Sequence, residues 1–108
     1  MEHLTFTFPG GRGEAHDAVV VGVVASGNLE VMVEPTADDP ACRIDVQTPA
    51  RGFDDVWSAV LGDFFERSQL GGVRISINDV GATPAVVSLR LDQAVETFRA
   101  GSLRGDAP

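Results

Sequence analysis

Valine dominates residues 19–34, where Val19-Val20-Val21-Gly22-Val23-Val24-Ala25 and Leu29-Glu30-Val31-Met32-Val33-Glu34 flank the short stretch Ser26-Gly27-Asn28. β-Branched side chains lose χ1 freedom in a helix and pack well on a pleated surface, so both flanks are predicted strands. The Gly27-Asn28 dipeptide suits the positive φ that a two-residue hairpin loop requires. The segment therefore predicts a β-hairpin with Ser26 at or beside its tip. Its first run, Val19 to Val24, is apolar on both faces. That predicts a central strand, covered by a helix on one side and by loops or a partner on the other.

The rest of the chain supplies further strands and a helix. Leu4-Thr5-Phe6-Thr7-Phe8 alternates apolar and polar residues, which predicts a half-buried strand ending at Pro9-Gly10-Gly11. Pro9 to Gly13 reads as a loop, and without a following Lys-Ser/Thr it lacks the spacing of a phosphate-binding loop. Pro35 to Pro40 breaks the strand pattern, and Cys42, Ile44 and Val46 then alternate with Arg43, Asp45 and Gln47 as another strand. Phe53, Val56, Trp57, Val60, Leu61, Phe64 and Phe65 recur at helical spacing. Asp54 and Asp55 suit the start of this amphipathic helix, Arg67 its end, and Gly71-Gly72 its stop. Its aromatic stripe, Trp57 included, reads as a core face.

Val73, Ile75 and Ile77 alternate as a strand, Asp79 to Pro84 connects, and Val87, Leu89 and Leu91 alternate with Ser88 and Arg90. This predicts a second hairpin. Asp92 is a candidate cap for a short helix carrying Val95 and Phe98. The expected fold is α+β: a mainly antiparallel sheet of five to six strands, one long amphipathic helix packed on it, and a short C-terminal helix. Residues 1–100 form one domain in this reading and 101–108 a flexible tail, where Arg104-Gly105-Asp106 is a coincidence rather than an adhesion signal.

Sixteen acidic residues against eight basic ones give a formal net charge of −8. That disfavours nucleic acid and anionic membrane and favours partners with basic surfaces. No run approaches the roughly 20 apolar residues of a membrane span, and the opening residues lack a signal pattern, so a cytoplasmic protein is expected. All eight basic residues are arginines. Biotin and lipoate ride on lysine amines, so the chain cannot be a biotinyl or lipoyl domain, and a covalent arm would have to use a hydroxyl. Cys42, the single cysteine, forms no internal disulfide and is expected buried in a strand. No zinc-ligand spacing accompanies it.

A nucleophilic serine needs a base within hydrogen-bond reach, an orienting acid and oxyanion donors. His3 and His16 are the only imidazoles. Both precede the first hairpin and read as solvated surface residues, and no Gly-x-Ser-x-Gly elbow surrounds Ser26. The carboxylate pairs Asp38-Asp39 and Asp54-Asp55 are adjacent in sequence, so their side chains diverge. A serine that accepts a prosthetic group needs only access, a rigid support and little bulk beside it, and Ser26-Gly27 meets those terms.

Val23-Val24-Ala25-Ser26-Gly27-Asn28-Leu29-Glu30-Val31, with Glu34-Pro35 after it, resembles the attachment segment of the acyl-carrier subunits of malonate decarboxylase. Asn78-Asp79-Val80-Gly81-Ala82-Thr83-Pro84 through Leu91 resembles them too, as does Leu4-Thr5-Phe6-Thr7-Phe8-Pro9. The resemblance covers nearly the whole domain in order, apart from the acidic loop near Asp38 and the tail. It implies that Ser26 is joined by a phosphodiester to 2′-(5″-phosphoribosyl)-3′-dephospho-coenzyme A, as in the related citrate lyase carrier. It further implies a non-catalytic subunit whose acetyl thioester is exchanged for malonyl by a transferase subunit and decarboxylated by a pair of decarboxylase subunits. An arm-attaching holo-carrier synthase would load it. Asn28 stands where such carriers often have aspartate, and both biotin-independent and membrane-linked, biotin-dependent complexes fit the resemblance. The alternatives are a small scaffold subunit without an arm and an enzyme that uses Ser26 directly.

Overall fold

A computed structural model of the protein describes residues 1–13, 16–36 and 39–105, the last four by backbone alone. Among the described residues, seven strands and two helices follow in the order β1 (Glu2–Phe8), β2 (Arg12–Gly13), β3 (Val19–Gly22), β4 (Asn28–Pro35), β5 (Cys42–Thr48), α1 (Asp54–Ser68), β6 (Leu70–Gly71), β7 (Val73–Val80) and α2 (Pro84–Gly105). Five strands form one sheet in the order β1-β5-β7-β4-β3, and β2 pairs with β6 in a separate two-stranded ribbon. Residues 106–108 of the expected tail, and Asp38 of the acidic loop, lie outside the described residues.

Alternation decides which face of the sheet is buried. Leu29, Val31 and Val33 of β4, Cys42, Ile44 and Val46 of β5, and Val73, Ile75 and Ile77 of β7 are all buried, while the residues between them on each strand are wholly or partly exposed. Registers Ile44↔Ile75↔Val33 and Val46↔Ile77↔Val31 align these side chains across three strands. They pack against Trp57, Leu61 and Phe64 of α1 and Val87, Leu91 and Phe98 of α2. The result is two layers, helices on one face and solvent on the other, as expected for strands that alternate cleanly.

Most pairings are antiparallel, but β5 and β7 run parallel. A parallel neighbour needs a crossover of a dozen or more residues, and α1 is that crossover, which is why it lies over the sheet. It carries Asp54 and Asp55 in its first turn and Arg67 in its last. Gln69, not Gly71-Gly72, terminates it: φ is 51° there, and its N–H donates to the Phe65 carbonyl at 2.8 Å. Gly71 instead belongs to the ribbon strand β6 and Gly72 to the bend before β7, and Arg12-Gly13, read as loop, is the short strand that pairs with β6.

Two elements differ from the sequence reading. The valine run is not central: among the described residues β3 is an edge strand paired only with β4, and the apolar run extends beyond it. Val19 and Val21 pack on the core, Val20 is 55 % exposed, and Val23 and Val24 have already left the sheet. Gly22 ends the strand with φ +89°, at a point where any side chain would collide with the Leu29 carbonyl.

The second hairpin is absent, because Val87 to Leu91 belong to α2. The Thr83 hydroxyl accepts the Val86 N–H at 3.3 Å, the Thr83 carbonyl accepts the Val87 N–H at 2.9 Å, and Pro84 follows at the first helical position. Val87, Leu91, Ala94, Val95 and Phe98 are buried at helical spacing, whereas Leu89, half of the apparent alternation, is exposed. Asp92 therefore caps nothing; it lies within α2 and pairs with Arg67 at 2.9 Å, tying the helices together.

Candidate functional site

Ser26 stands on the five-residue connection Val23–Gly27 between β3 and β4. The Ala25 carbonyl accepts the Asn28 N–H at 2.9 Å, enclosing Ser26 and Gly27 as the two central residues of a turn. Gly27 has φ +75° while Ser26 keeps a negative φ, which is the pattern of a type II turn. The central pair is thus Ser26-Gly27 rather than Gly27-Asn28, and Asn28 is the first residue of β4. Ser26 is exposed, as are Val23, Val24, Ala25 and Gly27.

The turn is fastened at its base. The Gly27 N–H donates to the Val80 carbonyl at 2.7 Å, holding the turn against the end of β7. Asn28 Oδ1 accepts from the Leu29 N–H at 2.8 Å and from Arg90 Nε at 3.2 Å, which joins the loop to α2. Arg90 also donates to Gln93 Oε1 at 3.0 Å, so these bonds of the guanidinium go to neutral amide oxygens and leave its charge in place. Arg90 was hidden from the sequence reading by its assignment to a strand; the helical period would have put it on one face with Gln93.

Asp79 was also missed as more than a turn residue. It is 5 % exposed, and one oxygen accepts from the Thr48 hydroxyl at 2.8 Å while the other accepts from the Ala82 N–H at 2.9 Å. This carboxylate shapes the bend from β7 into α2 beneath the Ser26 turn.

No imidazole is built into the turn. His3 lies on β1, at the opposite edge of the sheet, about 19 Å away by strand spacing. His16 is half-buried rather than solvated, its ring set edge-on to Phe98 at 4.8 Å, about 12 Å along α2 from Arg90. Burial pushes the Cys42 thiol up to about 12 from 9.0, so it is not a neutral-pH nucleophile. Among the described residues, no group of three or more His, Cys, Asp or Glu side chains could hold a metal ion.

Ser26 thus presents an exposed hydroxyl on a braced turn, the kind of rigid and accessible support that a carrier's attached group requires. The pattern of the malonate decarboxylase delta subunit (MdcD) matches residues 16–98. Malonate decarboxylase acyl carrier proteins of Stenotrophomonas maltophilia strain K279a and Burkholderia cepacia are 58 % and 61 % identical to the chain. The first alignment covers 94 % of this chain and 91 % of its relative, the second 87 % of each. The fold matches a chain in the crystal structure of a Pseudomonas malonate decarboxylase hetero-tetramer in complex with malonate, with TM-score 0.82 and 39 % identity over 91 % of this chain and 99 % of that one. The chain belongs to the malonate decarboxylase acyl-carrier (delta) family.

Proposed function

We propose that this subunit is the swinging-arm carrier of malonate breakdown, with Ser26 Oγ bound through a phosphodiester to 2′-(5″-phosphoribosyl)-3′-dephospho-coenzyme A. The observation that carries the proposal is the exposed Ser26 on a turn whose flanks are tied to β7 and α2. The residues fit such a group. Ala25 is small, the space where a Gly27 side chain would stand is open, and Arg90 supplies positive charge at the loop base for the phosphodiester anion. When attached, the arm would supply a thioester carbonyl, an electron sink for the decarboxylation of the acyl group it carries.

The chain's own part is mechanical and electrostatic. A braced root lets the distal arm swing while its origin stays fixed, which raises its concentration at partner active sites. Those partners are a transferase subunit, the decarboxylase subunits and the holo-carrier synthase that loads Ser26, all acting in the cytoplasm. The hetero-tetrameric assembly of the Pseudomonas relative supports a multi-subunit setting. With a formal charge of −8, the carrier docks against basic faces, and raised salt weakens that docking.

Intact-mass measurement after co-expression with the attaching enzymes tests this reading. The wild type gains one nucleotide-thiol group and Ser26→Ala gains none. A scaffold subunit would gain no mass in either form, and an enzyme using Ser26 would react unaided with a fluorophosphonate.

A further inference from the structure

Beside the Ser26 turn, α1 and the bend from β7 into α2 enclose a cavity of about 330 Å³, within the size range of small-molecule sites. Trp57 and Val87 form buried parts of its wall, and Phe53 and Val56, 49 % and 41 % exposed, stand among its lining residues. Asp79, Gly81 and Ala82 of the bend also line the cavity. An apolar wall with one convergent polar group is the usual make-up of a ligand pocket. The Asp79 carboxylate accepts one bond at each oxygen and has capacity for another, so it can take a further N–H donor.

The cavity lies within reach of the arm's root. Ser26 adjoins Gly27, whose N–H bonds the Val80 carbonyl, and Val80 adjoins Gly81 in the cavity lining. Those steps sum to about 10 Å. The Asn28–Gly81 bridge holds the two segments together. In the arm proposed above, the adenine ring is separated from Ser26 Oγ by a phosphate and two sugars, whereas the thiol lies beyond a diphosphate.

Resting on that carrier reading, we propose that the cavity seats the adenine ring of the carrier's own arm, stacked on the exposed Phe53 beside the edge of Trp57, with its exocyclic amine donating to Asp79. The diphosphate and thiol stay outside. Seating the base shortens the free part of the arm and fixes the direction in which the acyl end leaves the carrier. A two- or three-carbon acyl group needs no apolar cavity of this size and must remain available to other subunits, so the base is the better occupant.

Trp57 is the only tryptophan and the chain has no tyrosine, so its emission reports on the cavity alone. In loaded carrier without partner subunits, emission falls by about half relative to Ser26→Ala, because a short tether supplies millimolar local concentration to a weak stacking site. Ala82→Phe, which fills the cavity and keeps the Ala82 N–H, restores the emission of loaded protein. Adenosine monophosphate added to Ser26→Ala quenches in the millimolar range, and pantetheine does not. Mass measured on the same samples separates the two readings. Protein that has gained the arm yet shows unchanged emission overturns the cavity assignment and leaves the carrier reading standing, and quenching that persists in Ala82→Phe, or that pantetheine reproduces, overturns it too. Protein that gains no mass overturns the carrier reading and the cavity assignment with it.

Discussion

The sheet has two edges of different character. At one edge, β1 is seven residues long, turns Leu4, Phe6 and Phe8 inward and shows His3, Thr5 and Thr7 to solvent. Phe8 stacks on Phe65 of α1, ring centroids 5.2 Å apart, so the crossover helix seals this side. At the other edge, β3 has only four residues, and Val20, Val23 and Val24 expose more than half their surface. Edge strands invite unwanted pairing, and shortness is one way to limit it. The polar, sealed edge is built for stability; under the proposed function, the short apolar edge that leads into Ser26 is the contact surface for the enzymes that act on the arm.

Substitutions along the two edges break or sharpen that contrast. Gly22→Val has the largest effect, about 3 kcal/mol or more in urea unfolding, because it forces a β-branched residue to positive φ against the Leu29 carbonyl. An unchanged midpoint would show that the end of β3 is not fixed by that glycine. Phe8→Ala at the sealed edge costs about 2 kcal/mol through lost packing and stacking, with arm attachment unaffected. Slow loading in that variant would mean the two edges are coupled.

Asn28→Ala removes the acceptor for both Leu29 and Arg90 and costs about 1 kcal/mol. Here loading also slows, since the loop loses its tie to α2; full-rate attachment would remove Arg90 from the account. Val24→Ser changes stability least, by less than about 0.5 kcal/mol, while weakening binding to the attaching enzyme. Equal affinity for wild type and Val24→Ser in a titration would deny the apolar edge its docking role.

How far the sequence disclosed this arrangement depends on how many physical patterns a segment could satisfy. β1, β4, β5 and β7 alternate without ambiguity, α1 has a strong stripe with matching end charges, and all were readable. Val87-Leu89-Leu91 fits period two, but Val87 and Leu91 also fit a helix that continues to Ala94, Val95 and Phe98. The deciding signal was Thr83-Pro84, a cap and first-turn pair read as turn chemistry. The valine run misled because apolar composition was equated with burial. An edge strand and an exposed loop can be equally apolar when they face a partner. The place of Ser26 on an exposed turn between β3 and β4 was legible from its neighbours. Arg90 and Asp79 were not, because their roles depend on contacts with residues 62 and 31 positions away in sequence.

The central claim is that the hydroxyl at the corner of the β3–β4 turn bears the prosthetic group. With no lysine in the chain, trypsin releases the segment between Arg12 and Arg43 as one peptide, in which Ser26 and Thr36 are the only aliphatic hydroxyls. Tandem mass spectrometry of that peptide from loaded carrier should place the whole added mass on Ser26. Added mass on Thr36, or on any peptide outside residues 13–43, would contradict the account.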